Sequence, residues 1–213
     1  LALAATASLR AEISAQAWLE TYYLNPQPAE LPRAIENLSR DGYFARAENT
    51  AVAIGFIGTV FARNPDRVEG WLGQLAHLPA RDQRLLAAAL WQSGHPLGNR
   101  HLLTLAQHSP VRAEIERLAT LPTQVIAETP VQSPSSMRLQ WGAFLASGEQ
   151  RPIVAILDGF GLNDARLTSA ARMALAQNAA AHPRVMEICR DQLSRQPDDV
   201  RSELRAALNQ AER

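Results

Sequence analysis

The side chains best suited to chemistry in this sequence are five histidines and a single cysteine. A protein metal site needs several such ligands at defined spacing, and the sequence contains no His-Glu-x-x-His motif. His101 and His108 lie seven residues apart, so one continuous helix would place them on the same side. The histidines near predicted helix ends, where an imidazole can interact with terminal carbonyls, are His77, His95, His108 and His182. The pattern therefore favours structural or surface histidines over a metal site.

Nucleophilic catalysis has little support in the sequence. Cys189 lies among apolar positions such as Val185 and Ile188, which favours a buried and inert thiol. With one cysteine, these 213 residues cannot form an internal disulfide. No Gly-x-Ser-x-Gly nucleophile motif occurs, and residues 158–161 are typical of a helix C-terminal cap. All 21 basic residues are arginine, which excludes Schiff-base and P-loop lysines.

Carboxylates and arginines near helix ends are predicted to have structural roles. Glu114 and Glu116 lie near a predicted helix start, where negative charge is favoured, and we interpret them as solvated capping groups. Arginines at the helix breaks around 63–67 and 81–84 lie beside acidic residues such as Asp82, so local ion pairing is predicted. We assign no catalytic, cofactor-binding or metal-binding residue.

Residues 51–62 form the most apolar stretch, and Thr59 is its only polar side chain. A helix that is apolar on every side belongs in a protein interior, and a bilayer span would need about 20 residues. Gly55 and Gly58 lie on one side of this helix, and each costs up to ~1 kcal/mol relative to alanine. We predict that a neighbouring backbone approaches closely there, and that Phe56 is buried.

Apolar residues recur at helical spacing along most of the chain, for example at Leu102, Leu103 and Leu105. Prolines separate these stripes, and the interval from Pro65 to Pro96 recurs from Pro79 to Pro110, as a repeated two-helix unit would produce. Alternating runs typical of strands are missing from the sequence. We predict an all-α fold of about ten to twelve helices, arranged as an irregular α-solenoid or an orthogonal multi-helix bundle.

Residues 121–136 interrupt the helical pattern, because three prolines fall among threonine, serine and glutamine. Proline disfavours a helical conformation in the residue before it, so an irregular segment with a short turn near Val125 is predicted. We expect residues 1–213 to form a single helical domain. This segment either joins two packed halves, 1–120 and 135–213, or is a packed loop.

Two segments are similar to an uncharacterised family of helical proteins from proteobacteria. They are Asn64-Pro65-Asp66-Arg67-Val68 and the stretch from Trp141-Gly142-Ala143-Phe144 to Gly148. The resemblance covers most of the chain and brings no catalytic residue. The alternation of short helices also resembles α-solenoids of the tetratricopeptide or HEAT-like kind. The chain departs from the tetratricopeptide motif, because Trp71, Leu72 and Gly73 are consecutive where that motif spaces these residue types apart.

Composition narrows the possible partners and locations. Basic and acidic residues balance at 21 each, which disfavours binding to nucleic acid. Residues 1–7, Leu-Ala-Leu-Ala-Ala-Thr-Ala, look like the end of a signal-peptide apolar region with a small-x-small site. We therefore expect export to the periplasm, with the cytoplasm as the alternative. No other stretch is long enough to span a membrane.

Our leading hypothesis is a non-enzymatic protein-binding or scaffolding module of a bacterial envelope compartment. A solenoid forms a concave groove from successive helices, and aromatic side chains are candidates to line it, although core packing is the alternative for each. The candidates are Trp18, Tyr22, Tyr23, Trp71, Trp91 and Trp141. The alternative function is an enzyme whose site combines distant carboxylates with His101 or His182 as acid or base.

Overall fold

A computed structural model describes residues 14–162 and 164–213 of the chain. These residues form twelve α-helices and contain no strand beyond one isolated bridge between Ser93 and Val125. The helices are α1 (Ala15–Thr21), α2 (Leu31–Arg40), α3 (Ala47–Arg63), α4 (Val68–Gln74), α5 (Ala80–Gln92), α6 (Gly98–Gln107), α7 (Arg112–Ala119), α8 (Pro134–Ser147), α9 (Gln150–Asp158), α10 (Ala165–Ala181), α11 (Pro183–Gln192) and α12 (Asp198–Ala211). The predicted all-α multi-helix fold is confirmed, whereas stacking into a solenoid stays a prediction.

The helix predicted from residues 51–62 is the interior helix α3, which extends further at its start. The buried residues of α3 are Ala53, Gly55, Phe56, Ile57, Gly58, Val60 and Phe61. They point to more than one side, because α3 packs against both α8 and α5. The absence of a polar face, which set this stretch apart in the sequence, corresponds to its enclosure by neighbouring helices.

Glycines allow α3 to pack against α8 backbone to backbone. A Cβ atom added to Gly55 would lie 2.0 Å from a carbonyl oxygen of α8, and one added to Gly142 of α8 would lie 2.0 Å from the Val52 carbonyl oxygen. Toward α5, a Cβ on Gly58 would lie 2.8 Å from the Ala89 carbonyl oxygen. These separations are too short for any β-carbon. The predicted close approach of neighbouring backbones at Gly55 and Gly58 is confirmed.

The proline-rich segment between α7 and α8 is held against α8 by a buried side chain. Its predicted short turn is a 3-10 helix, Ile126–Glu128. Gln140 of α8 is fully buried, and its side-chain amide donates hydrogen bonds to the carbonyl oxygens of Ile126, at 2.9 Å, and Thr129, at 2.7 Å. These bonds satisfy carbonyl groups of an irregular segment that has few backbone partners of its own.

The proposed halves of the chain meet in one core, because α3 belongs to residues 1–120 and α8 to residues 135–213. Their division into separate units stays a prediction. Within the described residues, no helix combines the length and the hydrophobicity needed to cross a bilayer. Residues 1–7, expected to be the end of an export signal, lie outside the described part of the chain.

Candidate functional site

Three of the six aromatic candidates are core residues: Tyr22, Trp71 and Trp141. Tyr22 meets Phe56 edge-on with ring centroids 5.1 Å apart, and Trp71 stacks on Phe61 at 6.0 Å. Trp141 is buried in α8. Because these rings fill the interior, they do not line an open groove, and core packing, the alternative interpretation, describes them.

The other three aromatic candidates are partly exposed but lie in different surroundings. Trp18 packs edge-on against Phe56 at 5.8 Å, Tyr23 packs against Phe144 at 5.1 Å, and Trp91 lies near the end of α5. The structure therefore does not gather the six residues into one groove. A binding role for Trp18, Tyr23 and Trp91 stays a prediction.

Tyr23 contacts His182, one of the two histidines considered for acid–base chemistry. The phenol Oη lies 3.4 Å from Nδ1 of the imidazole, at the outer limit of a hydrogen bond. Burial lowers the pKa of His182 while nearby Glu20 opposes that shift, and burial raises the pKa of Tyr23. Among the described residues, no carboxylate hydrogen-bonds to His182. The pair therefore lacks the third group that orients a catalytic base.

His95 and His101 form a buried pair that was not predicted from the sequence, with ring centroids 5.0 Å apart. Nδ1 of His95 accepts a hydrogen bond from the Leu97 N–H at 3.0 Å, and Nε2 faces the Pro65 carbonyl oxygen at 3.3 Å. These contacts tie the imidazole to the start of α6. His108, expected on one side of a helix with His101, is exposed beyond the end of α6.

The environment of His101 disfavours its charged form. Burial lowers its pKa most, His95 and Arg100 lower it further, and Glu69 opposes them. In the described part of the chain, no group of three or more histidine, cysteine, aspartate or glutamate residues could hold a metal ion.

We expect the free energy of unfolding to fall as the pH is lowered from about 7 to about 5. The folded-state pKa of His101 lies below the ordinary value of 6.5, so the unfolded chain binds protons first as the pH falls. The contribution of His101 to the free energy of unfolding is therefore complete above pH 6.5 and is lost as the pH falls below it. His182, whose pKa is also lowered, acts in the same direction. Urea denaturation of His101→Gln at both pH values should show a smaller loss than the wild type. His108→Gln is the matched control at an exposed histidine, and an equal change in both variants would contradict the assignment.

Two further buried groups, the Cys189 thiol and the Asp82 carboxylate, have environments that indicate structural roles. Burial raises the pKa of the Cys189 thiol to about 12, so this cysteine is a poor nucleophile, as predicted. The Asp82 carboxylate accepts a bond from Nε of Arg81 at 2.5 Å and another from the Ser39 hydroxyl. The predicted local ion pairing is present at Arg81 and Asp82. The burial of that carboxylate was not predicted, because its contact with α2 is distant in sequence.

The most distinctive surface feature of the described residues is a group of exposed apolar side chains around α6. Of seven large hydrophobic residues that are exposed, four lie in this region. They are Leu97 (50% exposed), Leu103 (49%), Leu121 (45%) and Val125 (38%), and we name them the α6 patch. Single exposed apolar residues are common on proteins, but a local group of them marks an interaction surface more often.

The segment that follows α7, which contains Leu121 and Val125, runs back along the start of α6. The Gln124 N–H donates to the Trp91 carbonyl oxygen at 3.0 Å, and the Asn99 side-chain amide donates to the Leu121 carbonyl oxygen at 3.5 Å. Leu103 lies one helical turn after Asn99 and thus on the same side of α6. The patch combines one helix face with an adjoining extended segment.

This surface was not predicted from the sequence, because the helical spacing grouped Leu103 with the core residues of α6. Leu102 and Leu105 are buried, but Leu103 lies about 100° around the helix from Leu102 and faces outward. Strict three- and four-residue spacing would have separated Leu103 from the buried stripe. The position of Leu121 beside α6 depends on a contact with Asn99 that spacing does not show.

Comparisons with protein-family models, curated proteins and solved structures give no match to this chain.

Proposed function

We propose that the chain is a non-enzymatic protein-binding or scaffolding module and that the α6 patch is its partner-contact surface. The observation that supports this most directly is the exposure of four large apolar side chains, Leu97, Leu103, Leu121 and Val125, on α6 and the segment beside it. Burying such side chains against a partner is favourable, at about 25 cal/mol for each Å² of apolar surface removed from water. A bacterial envelope location belongs to the same proposal and is supported only by the composition of residues 1–7.

An enzymatic function, the alternative, has weaker support. His182 contacts Tyr23 and Phe144, whereas His101 packs against His95, so the two candidate acid–base residues have separate surroundings. The contact between Tyr23 and His182 is the observation that favours this alternative. Loss of a defined activity in a Tyr23→Phe variant of unchanged stability would support it.

Photo-crosslinking in the native cell tests the protein-binding proposal. A photoreactive amino acid at position 103 should yield a covalent adduct with one defined protein, and Leu121→Glu in the same chain should abolish that adduct. The matched control places the same amino acid at exposed Arg205 of α12, where no such adduct is expected. Identical products at both positions, or none at position 103, would refute the assignment of the surface.

The stability of the Leu121→Glu variant separates surface effects from folding effects. The side chain is half exposed, so the free energy of unfolding should change by no more than about 0.5 kcal/mol. Loss of the adduct without loss of stability would then reflect a lost contact with the partner.

A further inference from the structure

We propose that the partner segment that binds the α6 patch is acidic as well as apolar: a stretch of another protein with several carboxylates beside two or more large apolar side chains. This inference rests on the proposed function of the patch and adds the chemical character of its partner. It follows from the charges around the patch.

The helix pair α6–α7 has more positive than negative charge available at its surface. Its carboxylates are both engaged: Glu114 accepts two bonds from Arg84 of α5, at 2.7 and 2.8 Å, and Glu116 accepts one from Arg112 at 2.6 Å. Both carboxylates remain exposed to solvent and Glu114 lies in the first turn of α7, as the sequence predicted, while the arginine partners were not predicted. The Arg84 guanidinium is the main reason that the pKa of Glu114 is lowered, with a smaller contribution from Arg117.

Two exposed arginines of the same helix pair, Arg100 and Arg117, form no ion pair with any described residue. Arg100 lies three residues before Leu103 on α6, a spacing that puts both on one side of the helix. Arg117 lies in the last turn of α7, four residues before Leu121. Both unpaired arginines are therefore within four residues in sequence of Leu103 or Leu121, and we assign their charge to this end of the patch.

The opposite end of the patch differs in charge. Glu128, exposed and three residues beyond Val125, is the nearest carboxylate in sequence to that end. A bound segment is therefore expected to place its carboxylates toward Arg100 and Arg117 and its uncharged side chains toward Val125. Charge complementarity of this kind fixes the orientation of a partner and its rate of association.

The surface suits a polypeptide better than a lipid membrane or a second copy of the chain. The exposed side chains of Asn99 and Gln124 belong to the same two segments as the apolar residues and can hydrogen-bond to a peptide. Membrane-binding clusters commonly contain about four to eight basic residues, whereas the unpaired arginines of the helix pair that carries this patch are Arg100 and Arg117. In a two-fold dimer the patch would face a copy of itself, in which the two unpaired arginines, Arg100 and Arg117, outnumber the nearby carboxylate of Glu128.

Fluorescence anisotropy with the whole chain and three labelled peptides tests the inference. The peptides share the same leucines at helical spacing and differ only in their polar positions, which are all glutamate, all lysine or all glutamine. We expect the glutamate peptide to bind about tenfold more tightly than the lysine peptide at low salt, and the difference to shrink at high salt. The double variant Arg100→Glu, Arg117→Glu should reverse the preference, while Arg205→Glu should leave it unchanged.

Several results would overturn the inference. The first two are equal binding of the glutamate and lysine peptides and peptide binding that survives Leu103→Ser. The third is elution of the chain as a dimer that Leu103→Ser disrupts. The fourth is tighter binding to vesicles of phosphatidylglycerol and phosphatidylcholine than to the glutamate peptide. A crosslinked partner at position 103 together with no charge preference would refute this inference alone. The absence of both the crosslinked partner and the charge preference would refute the proposed function as well.

Discussion

Gly142→Ala is expected to destabilise the fold by about 3 kcal/mol or more, from the addition of a single methyl group. The new Cβ would lie 2.0 Å from the Val52 carbonyl oxygen and 2.7 Å from the Phe56 backbone nitrogen, both in α3. A clash with a flexible side chain can be relieved by a rotamer change, but backbone atoms of an interior helix cannot move alone. α3 and α8 would therefore have to separate and lose dispersion contacts along their whole interface.

Alanine substitutions in α4 provide a matched control for Gly142→Ala. Cβ atoms at Gly70 and Gly73 would meet nothing within 4 Å, and both glycines lie in an α-helix. Replacing them should be neutral or stabilising by up to about 1 kcal/mol, because alanine favours helix more than glycine does. Urea denaturation compares the three variants directly. A Gly142→Ala variant as stable as Gly70→Ala would show that α3 and α8 are not in backbone contact.

The interior helix α3 could be predicted from sequence because its evidence is local. A helix of twelve positions with Thr59 as its only polar side chain is stable in water only when it is buried on every side. Gly55 and Gly58 likewise indicated a close neighbour, since glycine in a helix needs a compensating contact. The identity of that neighbour was not predictable. Gly142 lies far along the chain, and only the packed structure brings it to Val52.

The candidate binding residues were harder to predict, because exposure depends on which helix face meets the core. Trp71 lies in the apolar stripe of α4 with Val68 and Leu72, and its burial was one of two interpretations that the spacing allowed. Aromatic side chains favour both interfaces and cores for the same reason, their large apolar area. The α6 patch depends instead on Leu121 lying beside α6, a contact between segments that no local pattern encodes.

Phe56→Ala is expected to cost about 3–5 kcal/mol, through lost transfer free energy and the cavity that remains. Phe56 is 1% exposed in α3, and its ring packs edge-on against Trp18 at 5.8 Å and Tyr22 at 5.1 Å. The substitution therefore also removes two aromatic contacts, each worth about 0.5–1.5 kcal/mol beyond the buried area. Since domains are typically stable by only about 5–15 kcal/mol, the urea midpoint should fall sharply.

Two further variants calibrate the Phe56→Ala result and decide what it means. Phe56→Leu keeps a large apolar side chain at the same position and should cost clearly less than alanine, because most of the volume remains filled. Arg205→Ala, at an exposed position of α12, should change the free energy of unfolding by no more than about 0.5 kcal/mol. If Phe56→Ala were as mild as Arg205→Ala, α3 would present an apolar face to solvent. The main partner-contact surface would then lie on α3 rather than at the α6 patch, because α3 offers the larger apolar area.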